Sequence, residues 1–104
     1  MNMLKHYLNA VKNTCTEIAD RDSFLYALKR IKAGKRDGEY HLARIYEDGN
    51  TIVHKDLACA YALYYVAAEK GLKEAQEHLT QLKLLLMADE WQRAKATIHN
   101  LQAK

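Results

Sequence analysis

The chain has 104 residues, a formal net charge of +3, 28% charged residues and no proline. This length suits one domain, and a hydrophobic content of 49% excludes a disordered chain. The mild positive charge does not favour nucleic acid as the main partner, and no apolar run is long enough to span a bilayer. Ala, Leu, Lys, Glu and Gln outnumber β-branched residues, so we expect an all-α fold.

The first predicted helix has apolar residues at alternating steps of four and three, the spacing of one helical stripe. The stripe consists of Leu4, Leu8, Val11, Cys15 and Ile18. The polar run at residues 20–22 is expected to interrupt this helix, with Asp20 or Asp22 as the N-cap of a second helix. The second helix is predicted to bury Phe24, Leu25, Leu28 and Ile31, and to end near Gly34 in a left-handed C-cap.

A third helix is predicted from about Asp37 to the turn signal at residues 48–50. Asp56 is placed as the N-cap of a fourth helix, which ends at Gly71. This fourth helix contains the longest uncharged run of the chain, residues 57–68, and we expect it to be buried on most of its faces.

The fifth and sixth predicted helices meet near Asp89, which forms a capping-box pattern with Gln92. The apolar run at residues 84–87 is expected to be buried between these two helices rather than exposed. Six helices joined by short connections predict antiparallel neighbours.

A weak internal repeat appears when the chain is shifted by 37 residues, which aligns residues 23–46 with residues 60–83. The identical pairs are Gly34 with Gly71, His41 with His78, and Leu42 with Leu79. Stacked helix pairs of this kind bury a continuous core that a single pair cannot form.

Residues 38–76 contain a more specific pattern of small, aromatic and turn residues. It consists of Gly38, Leu42, Tyr46, Gly49, Val53, Asp56, Ala60, Tyr61, Tyr64, Ala67, Ala68 and Gly71. This pattern resembles a SEL-one-like repeat, a relative of the tetratricopeptide repeat. By the same comparison, residues 23–37 resemble a degenerate half-repeat and residues 77–104 resemble C-terminal capping helices, whereas residues 1–22 form an N-terminal helix without such a resemblance.

The resemblance implies a short right-handed α-solenoid of about six helices, acting as a cytoplasmic adaptor, scaffold or small inhibitor, for example a bacterial immunity-type protein. In such stacks the first helix of each pair lines a concave face that binds a protein or peptide. The residues predicted to contact the partner are therefore His41, Arg44, His78 and Gln81. Because so few repeats offer little concave surface, we expect either a homodimer or an inhibitor that covers one target.

Residue patterns for catalysis, metal binding or cofactor binding are not found in the sequence. The only serine, Ser23, lacks a Ser-x-x-Lys pattern, no two histidines are four residues apart, and no phosphate-binding glycine loop occurs. We therefore predict a protein that is not an enzyme and has no cofactor. Cys15 and Cys59 are expected to be reduced core residues.

Two groups of residues leave alternatives open. A basic cluster at residues 29–36 is typical of phosphate or acidic-partner binding, and this gives the alternative function of a nucleic-acid-associated regulator. We favour a solvated helix end whose cations complement the helix dipole. Among the seven tyrosines, Tyr7, Tyr26 and Tyr65 have no place in the repeat core, and tyrosine is a frequent interface anchor.

Overall fold

The computed structural model describes the backbone of residues 2–102 and the side chains of residues 17–102. Within this part of the chain there are five α-helices and no strand, so the expectation of an all-α fold is confirmed. The helices are α1 (Asn2–Lys32), α2 (Gly38–Asp48), α3 (Leu57–Glu69), α4 (Lys73–Lys83) and α5 (Ala88–Gln102).

The predicted break at residues 20–22 is wrong, because α1 continues through it without interruption. The carboxylate of Asp20 does not cap a helix. It accepts hydrogen bonds from the backbone N–H of Thr51 at 2.9 Å and from the Thr51 hydroxyl at 2.7 Å. The polar run lies within one helix, at the point where the apolar residues move to another face of it. Because the two predicted helices are one, the described residues contain five helices instead of about six.

α1 and α2 approach each other closely at Gly38, the first residue of α2. A Cβ atom on Gly38 would lie 2.6 Å from the backbone nitrogen of Ile31 and 2.9 Å from the carbonyl carbon of Arg30. The short turn that joins the helices passes through Gly34, whose φ of 72° confirms the predicted left-handed glycine. Gly38 is therefore the small residue that allows the two backbones to meet.

α3 is the central helix, and α2, α4 and α5 all pack against it. The Asp56 carboxylate accepts a hydrogen bond from the N–H of Cys59 at 3.1 Å, which confirms the predicted N-cap. The buried residues of α3 are Ala58, Ala60, Tyr61, Ala62, Leu63, Tyr64 and Ala67. The prediction that residues 57–68 are buried on most faces is thus confirmed, and the alanines allow three neighbouring helices to approach.

An ion pair between a buried carboxylate and an exposed lysine joins the start of α2 to Lys70, the residue that follows α3. The Glu39 side chain is only 6% exposed, and the Lys70 ammonium group donates hydrogen bonds to both of its carboxylate oxygens, to Oε2 at 2.9 Å. The pair satisfies a charge that would otherwise be buried without a partner. Glu39 also lies in the first turn of α2, where the helix dipole favours a negative charge.

The connection from α4 to α5 differs from the prediction. Leu84, Leu85 and Met87 are 85%, 62% and 70% exposed, so the expectation that residues 84–87 are buried is wrong, and only Leu86 packs against the core. The reason is that α4 ends at Lys83 and α5 packs against α3, which leaves the turn without a neighbouring helix. The capping hydrogen bond at the start of α5 joins the Met87 N–H to the Glu90 carboxylate at 3.0 Å, rather than involving Asp89.

The close approach at Gly38 predicts a large loss of stability on substitution. Gly38→Ala should lower the free energy of unfolding by about 3 kcal/mol, because its Cβ meets backbone atoms that cannot rotate away. Gly34→Ala is the control: it meets no atom within 4 Å and should lose only about 1 kcal/mol from its positive φ. Urea unfolding of both variants measures the difference, and equal losses would contradict the account.

The ion pair between Glu39 and Lys70 predicts non-additive substitutions. Lys70→Met should lower the free energy of unfolding by about 2 kcal/mol, because it leaves the Glu39 carboxylate buried without a partner. Glu39→Gln combined with Lys70→Met should lose less than the sum of the single variants by about 1 kcal/mol or more. The control is Lys73→Met, at an exposed lysine outside the pair. Additive losses in thermal unfolding would show that the pair contributes little.

Candidate partner-binding site

A groove of about 690 Å³ lies between the C-terminal half of α1 and the outer face of α2. Its lining includes Asp22 and Tyr26 from α1, His41 and Arg44 from α2, and residues 48–50 after it. Two of the four residues predicted to contact a partner, His41 and Arg44, therefore lie in one groove.

Tyr26 forms the aromatic centre of the groove and is 50% exposed. Its ring meets the ring of His41 edge-on, with centroids 5.4 Å apart, and the Arg30 guanidinium lies 5.6 Å from its centroid. Such contacts hold an aromatic side chain in one orientation while leaving part of its surface accessible.

Asp37 contacts both Arg30 and His41, the two side chains that flank the Tyr26 ring. Its carboxylate accepts a hydrogen bond from Nε of Arg30 at 2.6 Å and lies 3.2 Å from Nε2 of His41. The hydrogen bond from Arg30 lowers the pKa of Asp37 below its ordinary value, so this carboxylate is charged at neutral pH. The network orients the groove before any partner binds.

Arg44 lies on the exposed wall of the groove, one turn beyond His41, and Asp48 is exposed one further turn along α2. Within the part of the chain whose side chains are described, Arg44 has no ion-pair partner. The groove thus contains the aromatic ring of Tyr26, the exposed cation of Arg44 and the carboxylates of Asp22 and Asp48.

His78, the third predicted contact residue, belongs mainly to a polar cluster between α2, α3 and α4. Its ring stacks on the buried ring of Tyr64 at 4.5 Å, and its Nε2 lies 3.4 Å from the Tyr40 hydroxyl. The Tyr64 hydroxyl donates a 2.6 Å hydrogen bond to Glu47, whose carboxylate lies 3.3 Å from His78 Nδ1. Burial is the largest cause that raises the pKa of Tyr64, so it stays protonated and acts as a donor.

The structure separates the four predicted residues into two pairs. His41 and Arg44 line the groove, whereas His78 is 28% exposed and Gln81 lies on the surface of α4, one turn beyond it. Tyr40 lies between the two histidines, with its ring 6.0 Å from His41 and 5.5 Å from His78. The two histidines that repeat in the sequence therefore both contact Tyr40, but His41 lines the groove whereas His78 packs in the polar cluster between α2, α3 and α4.

Sequence reasoning did not assign Tyr26 to the site, although it set Tyr26 apart as a tyrosine without a core position. The carboxylates at the groove edges were also missed, because charged residues on exposed helix faces carry no distinctive sequence signal. Only the packing of α1 beside α2 brings Asp22, Tyr26 and His41 together.

The other candidate groups have simpler roles. Cys59 is unoxidised and half-buried against the core, and burial raises the pKa of its thiol to about 11, so the reactive thiolate is scarce at neutral pH. Cys15 lies outside the described side chains. In the basic cluster, Arg30 is paired with Asp37, whereas Lys29, Lys32, Lys35 and Arg36 are exposed.

No protein-family model, curated protein or solved structure matches this chain. Among the described residues, no cluster of three or more His, Cys, Asp or Glu side chains could hold a metal ion. No helix in the same part of the chain is both long and apolar enough to cross a membrane.

The Asp37 network predicts a pH-dependent contribution to stability. The folded-state pKa of Asp37 lies below its ordinary value of 3.8, so the stabilisation is present above pH 3.8 and is lost as the pH falls through the folded-state pKa. Asp37→Asn should lower the Tm at pH 7, and the difference from the wild type should disappear in strong acid. Thermal unfolding across pH measures this effect, with Asp22→Asn as the control that should change Tm little. A difference independent of pH would contradict the role of the charge.

Proposed function

We propose that this chain is a non-catalytic interaction module that binds a protein or peptide segment in the groove between α1 and α2. The observation that carries the proposal is the half-exposed Tyr26 ring, in contact with His41 and Arg30, in the same groove as the exposed cation of Arg44. Tyrosine and arginine are, with tryptophan, the residue types most enriched among the anchors of protein interfaces. A fixed ring also loses little conformational freedom on binding.

The proposal includes a short α-solenoid of the SEL-one-like type, with α2 and α3 as its repeat unit over residues 38–76. Support comes from the N-cap at Asp56, the buried ring of Tyr64 and the positive φ of Gly71, which occupy the positions that the resemblance assigns to them. In this arrangement α4 and α5 cap the stack, and α1 extends its other end. A cytoplasmic adaptor or small inhibitor is the role that such a module would have.

The groove suits a segment of mixed polarity. An apolar side chain of the partner would cover the exposed part of the Tyr26 ring, and a carboxylate of the partner would pair with Arg44. The carboxylates of Asp22 and Asp48 at the edges disfavour a strongly acidic segment, because like charges repel. The expected partner is therefore a peptide with one acidic residue near an apolar one.

The alternative function is a nucleic-acid-associated regulator that uses the exposed cations at residues 29–36. Four of the five basic residues there are exposed, at and just beyond the C-terminal end of α1. Phosphate binding of this kind weakens steeply with salt, whereas contact with an aromatic ring depends little on salt and the single ion pair at Arg44 adds only a weak salt dependence.

A peptide library selected on the wild-type chain at high salt tests the main proposal. Tyr26→Ala and Arg44→Ala should each weaken the selected peptides by about 10-fold to 100-fold, measured as Kd by calorimetry. Leu85→Ala and Lys73→Ala are matched controls at exposed apolar and basic positions elsewhere, and they should leave Kd unchanged.

Two outcomes would contradict the proposal. In the first, the selected peptides bind Tyr26→Ala and Arg44→Ala as tightly as the wild type. In the second, no peptide is selected, but labelled nucleic acid binds at low salt, is released at high salt and is lost from a Lys32→Ala and Lys35→Ala double variant.

A further inference from the structure

His41 is a titratable side chain that lines the groove between α1 and α2. Its side chain is 35% exposed, its ring meets the Tyr26 ring edge-on, and its Nε2 lies 3.2 Å from the Asp37 carboxylate. Histidine is the side chain that ordinarily changes charge between about pH 5 and 8. The groove therefore contains a group of variable charge directly beside the ring that is proposed to anchor the partner.

The contact with Asp37 determines which ring nitrogen of His41 carries the hydrogen. An ionised carboxylate only accepts hydrogen bonds, so Nε2 must be the donor in this contact. The hydrogen bond from Arg30 lowers the pKa of Asp37, which keeps this carboxylate charged throughout the range in which histidine titrates. An added proton therefore goes to Nδ1, the nitrogen that does not contact Asp37, and changes it from an acceptor into a donor.

The charged and titratable groups around His41 come from α1, from the turn before α2, from α2 itself and from α4. They are Asp20, Asp22, Tyr26 and Arg30 of α1, Asp37 of the turn, Tyr40, Arg44 and Asp48 of α2, and His78 of α4, which lies beyond Tyr40. Arg30 and Asp37 form an ion pair and balance each other. Protonation of His41 therefore adds one positive charge that no other group in this set already balances by an ion pair of its own.

The lining of the groove is net negative when His41 is neutral. It contains the carboxylates of Asp20, Asp22 and Asp48 but only one guanidinium group, that of Arg44, so it repels a strongly acidic segment. Arg44 follows His41 by three positions, which makes the two side chains neighbours on one face of α2. A partner carboxylate that pairs with Arg44 is therefore also attracted by a protonated His41.

We propose that protonation of His41 strengthens the binding of an acid-bearing partner segment in this groove, so that the chain binds it more tightly in mild acid than at pH 8. The inference rests on the proposed function, because it concerns a partner bound beside Tyr26 and Arg44. The protonated ring contributes a positive charge near the partner carboxylate, and its Nδ1–H becomes a donor that a partner oxygen can accept. The groove is then regulated by pH through one side chain.

Calorimetry at pH 5.5 and pH 8 tests the inference with a peptide selected on the wild-type chain. The peptide used has blocked ends and no histidine, and its only carboxylates belong to aspartate, which stays ionised over this range because its ordinary pKa is about 3.9. The wild-type Kd should be about 3-fold to 10-fold lower at pH 5.5 than at pH 8. His41→Gln keeps a donor for Asp37 but does not titrate, so it should bind equally at both pH values. His99→Gln is the matched control, an exposed histidine of α5 that does not line the groove, and it should keep the wild-type pH dependence.

An NMR titration of the free chain adds a readout that needs no partner. The ring signals of Tyr26 should shift between pH 8 and pH 5.5 in the wild type, because the adjacent imidazole becomes charged, and they should stay nearly constant in His41→Gln. Constant Tyr26 signals in the wild type would overturn the inference.

The binding data separate this inference from the proposed function. A wild-type Kd that does not change with pH, or a pH dependence that persists in His41→Gln, would overturn the inference alone if Tyr26→Ala and Arg44→Ala still weaken the peptide. Peptides that bind both of these variants as tightly as the wild type would overturn the proposed function, and the inference with it.

Discussion

The close approach of α1 and α2 at Gly38 is the constraint on which the candidate site depends. No side chain fits there, so the helices are fixed side by side at one end, and the bonds between Asp20 and Thr51 hold them at the other. The groove centred on Tyr26 lies between these two attachments. The same geometry turns the opposite face of α1 away from the core, which is why apolar residues on that face remain exposed.

α3 gives the groove a rigid support. Its buried alanines let α2 pack closely on one side, and the ion pair of Glu39 with Lys70 ties the first turn of α2 to the residue that follows α3. α2 is therefore held by α1 on one face and by α3 on another. A side chain such as Arg44 is thus presented from a fixed backbone, which limits the entropy lost when a partner binds.

Features set by a few adjacent residues could be predicted, and features set by distant packing could not. The cap at Asp56 and the positive φ of Gly34 follow from local backbone chemistry. The continuity of α1 does not follow from local chemistry. A polar run between two apolar stripes is compatible with a turn that ends the helix, and equally with one helix whose apolar stripe moves to another face. The exposure of Leu84 depends on where α5 packs, and the place of Tyr26 in the site depends on its meeting His41, 15 residues away in the sequence.

The measurement that tests the binding account most directly is an NMR titration of the isotope-labelled chain with a selected peptide. The account predicts that chemical-shift changes concentrate at Tyr26, His41 and Arg44, with the Arg44 side-chain Nε–H among the most affected signals. Small changes should extend along α2 as far as Asp48. Changes confined to the exposed turn at residues 84–87, or to the basic cluster at residues 29–36, would show that the groove is not where the partner binds.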